Sequence, residues 1–160
     1  MEIFEGPKIV CPQRSGLNTF AYNEIAWYGS ADVYYITIKN DQINLKAILS
    51  LLNSKLYYCW FYNRGKRKGE ALELFQVPLS ELPMPRFPNK HTKELAKLAE
   101  LAIKLAAEGD QTKLSTTEEL IDDLVFDCFE LTEKEKTIVL DFWNSKKSKV
   151  QDLAFDDLSD

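Results

Sequence analysis

Residues 45–62, LKAILSLLNSKLYYCWFY, followed at once by NRGKRKGE, constrain the fold of this chain more than any other stretch. Leu45, Ile48, Leu49, Leu52, Leu56, Cys59 and Trp60 recur at offsets of 0, 3, 4, 7, 11, 14 and 15, which is the period of an amphipathic helix and not of a strand. The spacing predicts one core helix over 45–62. Asn44 can cap its start by accepting a bond from an orphan backbone N–H, and Gly65 can end it, because a residue without a Cβ takes a left-handed cap cheaply. Asn53 falls at offset 8, on the apolar stripe, so its amide is expected to be buried and bonded to a neighbouring loop or strand backbone. Arg64, Lys66, Arg67 and Lys68 then leave the end of this rod as a basic loop.

A chain of 160 residues and 18.5 kDa can bury one ordinary core, or one core with a smaller helical appendage. At 45% hydrophobic and 28% charged, with six glycines and six prolines, it has the composition of a folded globular protein. No apolar run reaches membrane-spanning length, and MEIFEGPKIVCP lacks the basic start and apolar core of a signal peptide, so the chain reads as cytoplasmic. Cys11, Cys59 and Cys128 are odd in number and set among apolar residues, which predicts reduced, mostly buried thiols. His91 is the sole histidine; it excludes the common zinc motifs and, in the polar stretch PNKHTKE, is expected to face solvent. The net charge of −5 conceals an asymmetry: residues 1–90 carry 11 basic and 8 acidic side chains, residues 91–160 carry 9 and 17. A polyanion should therefore meet the first part.

Taken in order, the chain opens with an entry strand closed by Pro12, in which the Gly6-Pro7 turn separates Ile3-Phe4 from residues 8–11. Gln13, Arg14, Ser15 and Gly16 follow as a polar loop; the guanidinium of Arg14 is a fork that suits a phosphate or a guanine edge. The β-branched and aromatic residues of Val33–Ile38 predict a strand, which the Lys39-Asn40-Asp41 turn leads into the core helix. Residues 71–77 read as a further strand with Leu72 and Leu74 on one side. Pro78, Pro83, Pro85 and Pro88 then predict an extended passage without a helix, and the boundary between two parts. Beyond it the 3.6-residue period returns. One helix with Leu95, Leu98, Ala99, Ala102, Leu105 and Ala106 inward ends near Gly109. Two more open on capping boxes at Thr116–Glu119 and Thr132–Glu135, burying Leu120, Ile121, Leu124 and Val125 in the first, and Ile138, Val139, Phe142 and Trp143 in the second. The expected fold is α+β: a small mixed sheet packed on the central helix over 1–88, a helical subdomain over 89–150, and an acidic tail over 151–160. The rival arrangement is a single α/β layer with the late helices on the sheet's other face.

No catalytic constellation, metal set or cofactor-binding motif can be drawn. RGKRKGE lacks the spacing of a phosphate-binding loop. The adjacent acids Asp122-Asp123 and Asp156-Asp157 are not one helical turn apart and read as solvated surface. What remains is recognition. The basic cluster is flanked by Tyr57, Tyr58, Trp60, Phe61 and Tyr62 and lies in the net-positive part of the chain, which suits phosphate contacts with polar side chains reaching bases nearby. On the residues alone, nucleic-acid binding and a protein-interaction or subunit-adaptor role stand level.

KIVCPQRSG (8–16), the aromatic strand through Ile38, LKAILSLLNSKLYYCWFYNRGKRKGEALELFQVPLSELPMP (45–85) and EELIDDLVFDCFELTEKEK (118–136) occur in an order that resembles the C-terminal specificity domain of TaqI-like DNA adenine-N6 methyltransferases and of the related fused restriction-modification enzymes. The resemblance implies a target recognition domain that reads a short duplex DNA sequence. A separate upstream methyltransferase domain, absent from this chain, would bind S-adenosylmethionine and methylate a flipped adenine, with or without a fused endonuclease. It implies no catalytic or cofactor-binding residue here. Matched onto this sequence, Gln13, Arg14 and Ser15 correspond to the family's polar loop and Arg64, Lys66, Arg67 and Lys68 to its second loop, both implied to contact DNA. Asn53 and Ser54 correspond to the LNS motif, taken as structural. Glu130 departs from the glycine common in relatives, which lowers the expectation of a left-handed cap there.

Overall fold

The central apolar stretch is helical but divided. In the computed structural model, which describes residues 2–39, 43–86 and 89–156, Leu45–Asn53 (α1) and Lys55–Arg64 (α2) are separated by Ser54, whose backbone is extended at φ −71° and ψ 157°. Asn44 caps α1 as expected, accepting bonds from the N–H groups of Lys46 and Ala47. The break is stable because the polar groups around it find partners. Ser54 donates its hydroxyl to the Leu51 carbonyl and accepts from the Tyr57 N–H. Buried Asn18 donates to the carbonyls of Leu52 and Ser54 at 2.6 and 2.9 Å, and Asp122 accepts from the Lys55 N–H at 2.8 Å. The expectation of one continuous rod fails because these partners come from residues 18 and 122, far away in sequence. Asn53 has the structural role expected of it, accepting from the Phe20 N–H and donating to the Phe20 carbonyl, each at 2.9 Å. Its side chain is exposed, not buried as its place on the stripe suggested.

Among the described residues two small sheets replace the single mixed one, and every pairing is antiparallel. After a short 3-10 turn over Glu2–Phe4, Lys8–Pro12 (β1) is the centre of a three-stranded sheet, with Ala21–Asn23 (β3) on one side and Val33–Ile36 (β4) on the other. The second sheet has Ala71–Glu73 (β6) between Arg14–Ser15 (β2) and Lys66–Lys68 (β5). Gln13 joins the sheets: its N–H reaches the Asp32 carbonyl and its own carbonyl accepts from the Leu74 N–H, both at 2.8 Å. The predicted strand over 71–77 is cut short because Gln76–Ser80 forms a helix (α3). Pro78 is tolerated in it because the third helical position has no intrahelical acceptor for an N–H. The prolines nevertheless leave the rest of the passage extended, and the Tyr57 hydroxyl fastens it by donating to the Pro83 carbonyl at 2.6 Å. Asn40, Asp41 and Pro88, which the sequence assigns to turns and to this passage, lie outside the described residues.

Three long helices complete the α+β architecture: Thr92–Glu108 (α4), Gln111–Cys128 (α5) and Glu133–Asp156 (α6). Helix α4 packs along α1, where the Ser50 hydroxyl donates to the Leu95 carbonyl, and it ends at Gly109 with φ +74°. Helix α5 starts five residues before its predicted capping box. Asp110 is the cap, and Thr116 and Thr117 lie inside the helix, bonded to the carbonyls of Thr112 and Lys113. The second capping box is present: Glu135 accepts from the Thr132 N–H and hydroxyl. Between α5 and α6 the left-handed cap forms without glycine. Glu130 takes φ +53°, and the N–H of Leu131 returns to the Phe126 carbonyl. Leu120 and Ile138, expected inward, are 50% and 59% exposed, and Ala106 is exposed as well.

One apolar cluster runs from Ile9, Cys11 and Phe20 through both halves of the central stretch to Leu95, Ala99, Ile121 and Val125. Asp122, read as solvated surface, is buried within reach of Lys55 at 2.5 Å. The three cysteines are free, and burial pushes the thiols of Cys11 and Cys59 up to about 12 and raises that of Cys128, which removes thiolate character. His91 is half-buried instead of solvent-facing, with its Nε2 buried and unbonded among the described residues. Helix α6 carries on to Asp156, and the last four residues of the acidic tail lie outside the described residues. No helix among the described residues is long and apolar enough to cross a membrane.

Candidate nucleic-acid interface

The two basic segments that lie fifty residues apart in sequence share one sheet. Helix α2 ends at Arg64, and Gly65 turns the chain directly into β5. The turn does not use a left-handed glycine: Gly65 is extended at φ −77° and ψ −172°. Glycine is required for another reason, since a Cβ there would meet the Phe61 carbonyl oxygen at 2.5 Å. Lys66, Arg67 and Lys68 are therefore an ordered edge strand and not the loop predicted. Gly69, with φ +63°, supplies the positive angle for the two-residue turn that brings the chain back as β6. Arg14 and Ser15 pair with the other side of β6, so they too are strand residues.

Register decides which way each side chain points, because residues directly opposite each other in an antiparallel pair share a face. Arg14, Glu73 and Lys66 form one row. Lys68 lies opposite Ala71, on the same face two residues along. The alternate row is Ser15, Leu72 and Arg67. Leu72 is fully buried, so its side of the sheet faces the core and the row of Arg14, Glu73 and Lys66 lies on the outer side; Arg67, at the edge of the core side, is itself exposed. Lys66 and Lys68 are roughly 7 Å apart along their strand, and Arg14 and Lys66 about 10 Å apart across the sheet.

Arg14 donates from Nε to Glu73 Oε1 at 3.2 Å. This contact leaves the Nη edge of the fork unused by Glu73, and the Arg14 side chain is 54% exposed. Glu73 thus acts as a brace that fixes the plane of the guanidinium. Gln13 is placed differently from its neighbour: its amide donates to the Ala31 carbonyl at 2.7 Å, so the side chain reinforces the joint between the sheets. The Ser15 hydroxyl bonds that of Thr19 at 3.1 Å. Arg64 is exposed at the last helical position, beside the carbonyl end of the helix dipole. Arg67 lies with its guanidinium 4.0 Å from the centre of the Tyr62 ring. Asn53 and Ser54 stand away from this face, at the α1–α2 junction.

Several residues that shape this region were not marked by periodicity. Lys8 is fully buried, donating to the carbonyls of Gly6 and Ile25 at 3.0 and 2.7 Å; it pins the loop that carries exposed Ile25 and Tyr28. Asn18, Glu73 and Lys146 were missed as well. The alternation of Lys66, Arg67 and Lys68 about a buried Leu72 is the one signal that could have separated the cation on the Leu72 face from the two on the opposite face beforehand.

The fold is α+β, with a small antiparallel sheet that presents cations on its outer face. The sequence profile of the TaqI-like C-terminal specificity domain matches residues 1–84, and the chain belongs to that family. The match spans both sheets, both halves of the central helical stretch and the short helix before the proline passage. The family is a specificity domain and not a catalytic one. A search of curated proteins returns no match.

Proposed function

We propose that this chain reads duplex DNA through the outer face of the β2-β6-β5 sheet, as the specificity part of an adenine-N6 DNA methyltransferase or restriction-modification enzyme. Its catalytic domain, with S-adenosylmethionine, would belong to another part of the same polypeptide. The observation that carries this reading is the register: one row holds Arg14 and Lys66 on either side of Glu73, and Lys68 continues the same face. A major groove admits a two-stranded β-ribbon as well as a helix; β5 and β6 form such a hairpin, and Arg14 lies beside it on β2. In this arrangement the braced fork of Arg14 reads a guanine edge, while Lys66, Lys68 and Arg64 contact phosphates. The family to which the chain belongs supports the same reading.

Binding of duplex DNA measured against salt tests it. Binding through this face should weaken steeply with added salt. Lys66→Ala and Lys68→Ala should each lower the slope of log K against log salt by about 1 and weaken all duplexes alike. Arg14→Lys should instead lose discrimination at one base position, by about 1–3 kcal/mol. An adaptor surface, which exposed Ile25 and Tyr28 would favour, predicts no DNA binding and a retained protein partner.

A further inference from the structure

We infer that helix α6 is part of the recognition apparatus, with Lys146 and Tyr62 acting as positioning residues that set the pose of the basic hairpin; the inference rests on the proposed DNA-reading role. Tyr62, near the end of α2, is buried at 8% exposure, and its ring and hydroxyl meet groups from three elements. Lys146, on α6, donates to the Tyr62 hydroxyl at 2.5 Å. The hydroxyl donates in turn to Glu70 Oε2 at 2.9 Å, in the turn of the hairpin, and the Lys146 ammonium lies 3.6 Å from the same carboxylate oxygen. Arg67 of β5 covers the ring at 4.0 Å, and the Lys146 ammonium lies 4.3 Å from the ring centre. Phe142, one turn before Lys146, meets the Tyr62 ring edge-on at 5.1 Å between centroids.

A two-residue turn and three-residue strands hold a hairpin weakly by themselves. Here both the strand and the turn are fastened, through one tyrosine, to a lysine eighty-four residues away. The lysine lies outside the segment matched by the family profile. Its side chain is only 17% exposed and faces inward to this cluster, which is the placement of a brace and not of a phosphate contact. Arg67, 4.0 Å from the centre of the same ring, holds β5 to it. Removing the brace should therefore loosen the hairpin without removing the outward charges on Lys66, Lys68 and Arg14, and the loss should appear in base preference before it appears in charge-driven affinity.

The test uses the whole chain and two conservative variants. Lys146→Met keeps the aliphatic stem and removes the charge; Tyr62→Phe keeps the ring and removes the hydroxyl. Amide hydrogen exchange over residues 66–73, without DNA, should be at least several-fold faster in both variants, while exchange in α1 and α4 is unchanged. Selection from a pool of duplexes with a randomised central segment should then give a flatter base preference for both variants than for the wild type, with an unaltered salt slope. Unchanged exchange over 66–73 overturns the clamp. Faster exchange with an undiminished base preference overturns its role in recognition. A salt slope lower by about 1 in Lys146→Met would make Lys146 a phosphate contact and also overturn the positioning role. A wild-type chain that enriches no sequence and binds no duplex refutes the DNA-reading role and, with it, the recognition part of this inference, whereas the exchange result then still shows whether the clamp exists.

Discussion

Glu130 and Asp122 show most directly what single residues contribute. Glu130 is the one non-glycine residue with positive φ among those described, and a side chain there costs about 1 kcal/mol relative to glycine. The corner between α5 and α6 is imposed by its backbone bonds and by the packing of the two helices, which overrides the preference of the residue. Glu130→Gly should raise stability by about 0.5–1 kcal/mol in a urea titration; a loss of stability would mean that the Glu130 side chain has a stabilising role. Asp122 caps the start of α2 from the interior. Burial holds its carboxyl above the usual range, and the ion pair and bonds from Lys55 oppose that shift without cancelling it. A raised native value means that the folded state binds the proton more tightly than the unfolded state. This contribution is fully present below the ordinary carboxylate range and is lost as pH rises through the raised value. Melting curves of the wild type and Asp122→Asn, compared from about pH 4 to neutrality, should show the wild type losing stability relative to the variant as pH rises. A gain over the same interval would show that the Lys55 pair wins over burial.

At the scale of elements, what was legible from sequence depended on whether an element's partners were local. Asn44, Gly109 and Thr132–Glu135 end or begin helices through bonds within a few residues, and all three were predictable. The Thr116 box has the same pattern but lies inside a helix already started by Asp110; a capping sequence cannot reveal that an earlier cap has won. Thr132→Ala should cost about 1 kcal/mol, measured by denaturant unfolding, whereas Thr116→Ala, with no cap to lose, should be close to neutral. The division of the central stretch at Ser54 was illegible for the opposite reason, since it depends on Asn18 and Asp122. The basic segment was legible in position and charge but not in conformation, because strand pairing with β6 was hidden behind two glycines that resembled loop markers. Gly65 is the sharper case. Gly65→Ala would push the start of β5 away from the Phe61 carbonyl, and should destabilise the chain by about 1–3 kcal/mol. A neutral result would show that the α2–β5 corner adjusts freely.

For the whole molecule, the α+β class and the basic character of the first part were readable because composition, period and charge all agree over long stretches. The sheet topology was not, since four of the six strands among the described residues have three residues or fewer and their order is set by pairings between distant segments. The same topology gives the candidate site its shape: neither the Arg14 segment nor the Lys66–Lys68 segment presents a surface alone, and β6 brings them side by side. The shared core between the strand-rich part and the later helices explains why a lysine of α6 can reach the hairpin. The proposed place for DNA is the outer face of the β2-β6-β5 sheet. It is tested most directly by backbone amide chemical-shift mapping of the whole chain as a duplex pool is added at low salt. The largest shifts are expected at Arg14, Ser15, Lys66–Lys68 and Ala71–Glu73, with those of α4 and α5 nearly still. Shifts concentrated on the helices with the sheet unmoved, or no shift at all in a folded chain, would contradict it.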